Sequence, residues 1–248
     1  MGARLSDAEA VQEADQANEQ LGAFYGTILP KWQALREQLA KGERSGAEKQ
    51  IPSGPFFTQV TPAYYQARQR LVFVGQESHG WIEAPDAVSV ERIRAHYMKW
   101  RLKLLSPSGS TSSMSPYWQA IRQVRAKLAA GEPPESLMFA NVLPCDINKK
   151  RPPKELYERL RSWKVVAKEL EVLTPDAVIF FCGSYSLQPF FGVEPPPLSL
   201  ANPFVPYRPP GASWKGIVTY HPNFLRRKKL WGVLDQIVDQ LRPAGVTA

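Results

Sequence analysis

Leu71-Val72-Phe73-Val74 is followed at once by Gly75-Gln76-Glu77-Ser78-His79-Gly80-Trp81. A short apolar run rich in β-branched and aromatic residues has the length and composition of a buried strand. The abrupt change to glycine and polar residues ends it. Three more runs repeat the pattern: Leu137 to Leu143, Ala177 to Cys182 and Gly216 to Tyr220. Helical stripes lie between and after them. Val90, Ile93, Tyr97, Trp100 and Leu104 form one; Leu156, Leu160, Trp163, Val166, Leu170 and Leu173 a second; Trp231, Leu234, Ile237, Val238 and Leu241 a third. Strands alternating with helices predict an α/β fold, a three-layer α/β/α arrangement around a mainly parallel sheet of about four strands.

Upstream, Ser6-Asp7-Ala8-Glu9 has the form of a capping box. Val11, Ala14, Leu21, Tyr25 and Ile28 share one helical face, and Trp32, Leu35 and Leu39 suggest a second helix. Residues 1–60 therefore read as an N-terminal helical extension packed on the core, and 61–248 as the α/β domain. Gly42 to Pro55 reads as a loop, and Pro189 to Pro210, rich in proline, as a long irregular one.

At 248 residues with 44% hydrophobic content the chain can bury a substantial core. Its 31 Lys and Arg exceed its 23 Asp and Glu, for a net charge of +8. That excess favours a polyanionic partner. The first twenty residues are polar and acidic, which does not describe a signal peptide, and no apolar run reaches the roughly 20 residues of a membrane span. With two cysteines, Cys145 and Cys182, a disulfide framework is not expected. The chain reads as a cytoplasmic monomer with reduced thiols, nucleoid-associated if bacterial, without a membrane partner.

In an open α/β sheet, ligands bind beyond the carboxyl ends of the strands. There the sequence puts Gln76, Glu77, Ser78 and His79 after the first run, and Asn141 with Pro144-Cys145-Asp146 at the second. Gly183-Ser184-Tyr185-Ser186 follows the third, and His221-Pro222-Asn223-Phe224-Leu225-Arg226-Arg227-Lys228-Lys229 the fourth. A carboxylate, an amide, two of the three histidines and a cationic run are predicted to share one rim.

Three of these stretches resemble the uracil-DNA glycosylase superfamily. Gly75-Gln76-Glu77 is similar to its Gly-Gln-Asp water-activating loop, Ala140 to Cys145 to its Asn-Val-Val-x-Cys base-reading strand, and His221 to Leu225 to its His-Pro-Ser-x-Leu loop. Order and strand-end context agree in all three, over roughly Leu71 to Leu241. The resemblance implies a monofunctional glycosylase that hydrolyses the N-glycosidic bond of a flipped-out base in DNA, for repair or for defence against modified foreign DNA. Breaking that bond develops positive charge on the sugar, which the Glu77 carboxylate can stabilise while it orients or deprotonates water. Negative charge develops on the base, where His221 can donate as in an oxyanion hole, helped by the Gln76 backbone amide. Asn141 can pair with a pyrimidine edge. Leu225 would fill the gap left in the stack. Arg226, Arg227, Lys228 and Lys229, with Lys149, Lys150 and Arg151, would hold phosphates.

Departures from the family bear on the substrate. Where uracil-specific members carry Pro-Tyr, whose ring excludes a methyl at the pyrimidine 5-position, this chain has Ser78-His79. That pair would border the base. Uracil and a 5-substituted pyrimidine, duplex and single strand, all stay open. The two cysteines exclude the four-cysteine iron–sulfur cluster of some members within one chain, so no cofactor or metal is expected, and Cys145 reads as core. His96 reads as a surface residue, and Tyr97 and Trp100 as core. The alternatives are a DNA-binding module of the same fold without catalysis, and a nucleotide- or RNA-binding α/β protein.

Overall fold

The structure, a computed structural model, describes residues 5–43, 50–78, 81–82, 87–105, 115–183 and 185–242. His79 lies outside the described residues.

The long first helix, α1 (Asp7–Glu43), begins at the capping box that the sequence announces. The Ser6 amide donates to Glu9 Oε2 at 2.8 Å, and the Glu9 amide donates back to Ser6 Oγ at 3.4 Å. One helix replaces the two expected, with Pro30 inside it. Its packed face carries Ala10, Ala14, Ala17, Leu21, Tyr25, Ile28, Trp32 and Leu35, while Val11 is 46% exposed, against expectation. This face belongs to the same continuous hydrophobic core as the sheet, because a lone amphipathic helix of this length gains its stability from the surface it covers. Tyr25 stacks on Phe57 with centroids 4.1 Å apart. Its hydroxyl donates to Glu169 at 2.6 Å.

After α2 (Pro62–Gln66) comes β1 (Leu71–Gly75), and after α3 (Val90–Leu105) and α4 (Pro116–Leu128) comes β2 (Leu137–Asn141). The second predicted stripe is two helices, α5 (Lys154–Arg161) and α6 (Val165–Leu173), broken where Lys164 takes the left-handed φ of 52°. Then follow β3 (Ala177–Phe180), α7 (Gln188–Phe191), β4 (Phe204–Tyr207), β5 (Lys215–Thr219), α8 (Pro222–Arg227) and α9 (Val233–Leu241). Trp231, assigned to the third stripe, precedes α9. The sheet has five strands in the order β2-β1-β3-β5-β4. The fifth is β4, antiparallel to β5, in the proline-rich stretch expected to be irregular. Pro206 is tolerated there because β4 is an edge strand.

Every position of β1, β2 and β3 is buried, so both faces of the sheet are covered. Helix α1 packs on α2, α3 and α6, and α4 packs on α8 and α9. From β1 the chain moves to β2 on one side and returns to β3 on the other. The order reverses between β1 and β3, and such a reversal opens a crevice at the carboxyl ends of the strands.

Candidate active site

Hydrogen bonds lace the four parallel strand exits together beyond the sheet. The Val142 and Leu143 amides donate to the Gly75 and Gln76 carbonyls, both at 2.9 Å. Gln76 Nε2 donates to the Cys182 carbonyl at 3.0 Å, and the Gly183 amide to the Thr219 carbonyl at 3.0 Å. Side chains carried on these exits are thereby fixed relative to one another. A cavity of about 960 Å³ opens over them, and Gln76, Glu77, Asn141, His221 and Arg227 all line it. Of the groups expected to share one rim, the carboxylate, the amide, one histidine and one cation meet here, while Lys149, Lys150, Arg226 and Lys228 do not line the cavity.

Asn141, only 9% exposed, ends β2. Room for its amide comes from Gly75: a Cβ there would lie 2.5 Å from Asn141 Oδ1 and 3.1 Å from the Tyr117 hydroxyl. His221 is the N-cap of α8, and its Nδ1 accepts from the Asn223 amide at 3.2 Å. An imidazole nitrogen that accepts carries no proton, so the neutral ring holds its proton on Nε2 and is a donor there. The ring lies parallel to Tyr117, centroids 5.7 Å apart at 10°. Glu77 Oε2 accepts a hydrogen bond from the Tyr185 hydroxyl. Tyr185 is buried, and burial first, then the Glu77 charge, holds its phenol far above the usual range. It therefore remains a donor. Arg151 lies 4.2 Å over the Tyr185 ring and 5.1 Å over that of Tyr157.

Much of the remaining lining is aromatic. Trp100 and Trp118 meet edge to face at 4.8 Å, Phe56 and Trp81 pack tilted at 4.8 Å, and Tyr220 and Phe224 pair at 4.3 Å.

The sequence matches no family model and no curated protein.

Two expected roles change. Leu225 is wholly buried, because α8 turns that face into the core. It cannot stand as a wedge in a base stack. Ser78 lines the cavity, but its hydroxyl is committed to Ser53 at 2.8 Å and Asp146 at 3.1 Å, tying the β1 loop to the loop after β2. Asp146 also accepts from the Lys149 amide at 2.8 Å, in a turn where Asn148 and Lys149 are both left-handed. Lys149, Lys150, Arg226, Arg227 and Lys228 are exposed. His96 is half-buried, with Nε2 3.1 Å from the Trp81 carbonyl, so it is partly packed rather than fully exposed. Tyr97 is core as expected, whereas Trp100 faces the cavity. Both cysteines are buried, and burial pushes the Cys182 thiol up to about 12 and the Cys145 thiol higher still, so neither offers a thiolate nucleophile.

Sequence reasoning gave Tyr117, Trp118 and Tyr185 no role. Ser115-Pro116 is a helix-start signal that could have drawn attention to Tyr117 and Trp118. Tyr185 sits in the loop after β3, where strand-end logic already pointed.

Proposed function

We propose that the chain is a monofunctional DNA glycosylase acting on a flipped-out pyrimidine that carries a substituent at its 5-position. The observation that carries this reading is the meeting of Glu77, Asn141 and His221, from three strand ends, in one cavity. Asn141 offers a donor and an acceptor to the pyrimidine edge. As the bond from C1′ to the base nitrogen breaks, the base keeps the electron pair. The Nε2 proton of His221 meets the charge growing on the base carbonyl, and Glu77 faces the charge growing on the sugar. Water adds to C1′, and its proton passes to the Glu77 carboxylate.

Cavity size favours a substituted base. About 960 Å³ is near the top of the roughly 300–1,000 Å³ usual for drug-sized ligands, more than a bare pyrimidine fills. The aromatic wall gives a substituent flat surfaces to lie against. DNA as the polymer is supported by the net charge of +8 and by exposed cations in the turn after β2 and at the end of α8. With Leu225 in the core, the wedge role falls to Phe224, half-buried at the cavity rim.

The experiment is alkali cleavage of labelled duplexes and single strands carrying uracil, 5-hydroxymethyluracil or 5-modified cytosines. Strand breaks at a 5-substituted base, in excess of those at uracil, are expected. Breaks at uracil alone would return the substrate to plain uracil. No breaks at any base would favour a DNA-binding module without catalysis.

A further inference from the structure

We propose that Tyr185, braced by Arg151 and Tyr157, is a positioning residue that sets the orientation and acidity of the Glu77 carboxylate. As a role in base release the inference rests on the glycosylase reading; as a coupling between two side chains it does not.

Glu77 sits half-buried in the loop after β1, where its partners select the rotamer of the carboxylate. The Tyr185 hydroxyl, from the loop after β3, fixes one carboxylate oxygen. Tyr185 is itself held on two sides. Its ring meets Tyr157 of α5 with centroids 5.5 Å apart, and the Arg151 guanidinium lies 4.2 Å over its face. Arg151 makes no ion pair among the described residues, so its charge is directed at the two aromatic rings and at solvent. The cation over the ring draws electron density from the phenol and makes it a stronger donor. A hydrogen bond to the ionised form of a carboxylate favours that form. The arrangement thus keeps Glu77 charged and aimed, the state that stabilises a cationic sugar and accepts a proton from water. Other ionisable groups near this rim are Asp146, bonded to Ser78, and His221 and Arg227, which line the same cavity.

The test is the titration of Glu77 by ¹³C-carboxyl NMR, its resonance assigned by its loss in Glu77→Gln. Tyr185→Phe keeps the ring under Arg151 and removes only the hydroxyl. It is expected to raise the Glu77 pKa by about half a unit or more, the direction set by loss of a donor to the charged form. Arg151→Met, which keeps the donor and removes the charge, is expected to give a smaller rise. An unmoved Glu77 titration in Tyr185→Phe overturns the proposal; an unmoved one in Arg151→Met removes Arg151 from it. In single-turnover base release, Tyr185→Phe is expected to slow the step about tenfold with unchanged DNA affinity and to move the acid limb of the pH profile upward by the same interval. In the Glu77→Gln background it adds nothing. A slowing with an unmoved acid limb marks Tyr185 as structural only. If the wild-type chain releases no base from any duplex, the glycosylase reading fails, and the NMR titration still decides the coupling.

Discussion

In the proposed reaction Glu77 and His221 share charge stabilisation between the two sides of the breaking bond, and each has a neighbour that fixes how it presents itself. The Asn223 amide directs the His221 proton to Nε2, and Tyr185 holds Glu77. Replacing His221 with Ala is expected to cost about 2.7–4 kcal/mol in the single-turnover barrier, the usual effect of removing one oxyanion donor. A near-normal rate would take that role from His221. A different residue governs stability. Glu169, wholly buried against Tyr25, has its carboxyl pushed by burial from 4.5 up to about 8, with hydrogen bonds from Tyr25 and Thr58 pulling the other way. Between those values the folded chain holds a proton that the unfolded chain has released. The contribution is fully present below the unfolded value and is lost as pH rises through the folded one. Stability should therefore fall between about pH 4.5 and 8, by a few kcal/mol at roughly 1.4 kcal/mol per unit. Glu169→Gln should flatten this slope and raise the unfolding temperature at pH 8 relative to wild type. Parallel pH profiles of unfolding temperature would contradict it.

Helix α8 carries both the donor and the cations, and its two faces separate function from packing. Leu225 points into the core, so Leu225→Ala should cost about 2–5 kcal/mol of stability, as other buried leucine truncations do. Phe224→Ala should leave stability within about 1 kcal/mol and slow base release, because its ring is only half-buried and lines the cavity. Unfolding curves and single-turnover rates on the two variants separate these outcomes; the reverse pattern would restore Leu225 as the wedge. Arg226 and Arg227 end α8 and Lys149 sits in the turn after β2, both beyond the carboxyl ends of the parallel strands. Replacing all three by Ala should reduce the slope of log affinity against log salt by up to about three units on duplex DNA. An unchanged slope would return them to ordinary surface. The His221 to Leu225 motif was legible as a strand exit running into a helix, but not which of its side chains faced inward. A helix of six residues offers too few turns for a periodic stripe to show.

Across the whole molecule, what the sequence made legible is what parallel sheets make obvious: continuous apolar runs that end abruptly. The four parallel strands, and the rim where their ends meet, follow from that signal. Strand β4 escaped it because an edge strand tolerates proline and has the mixed burial of one exposed side. The single α1 escaped it because Pro30 reads as a boundary, while the core it covers runs on to Trp32 and Leu35. The aromatic wall escaped it because Phe56, Trp81, Trp100 and Trp118 come from four places in the chain and meet only once α3 and α4 have packed. The central claim is that this assembled rim breaks an N-glycosidic bond through Glu77. Its most direct measurement is single-turnover release of free base from duplex carrying a 5-substituted pyrimidine, by wild type and Glu77→Gln, with DNA affinity measured alongside. The account predicts release by wild type, loss of most of that rate in Glu77→Gln and unchanged binding, since the charge acts mainly in the transition state. Equal release by the two proteins, or DNA left intact by both, would contradict it.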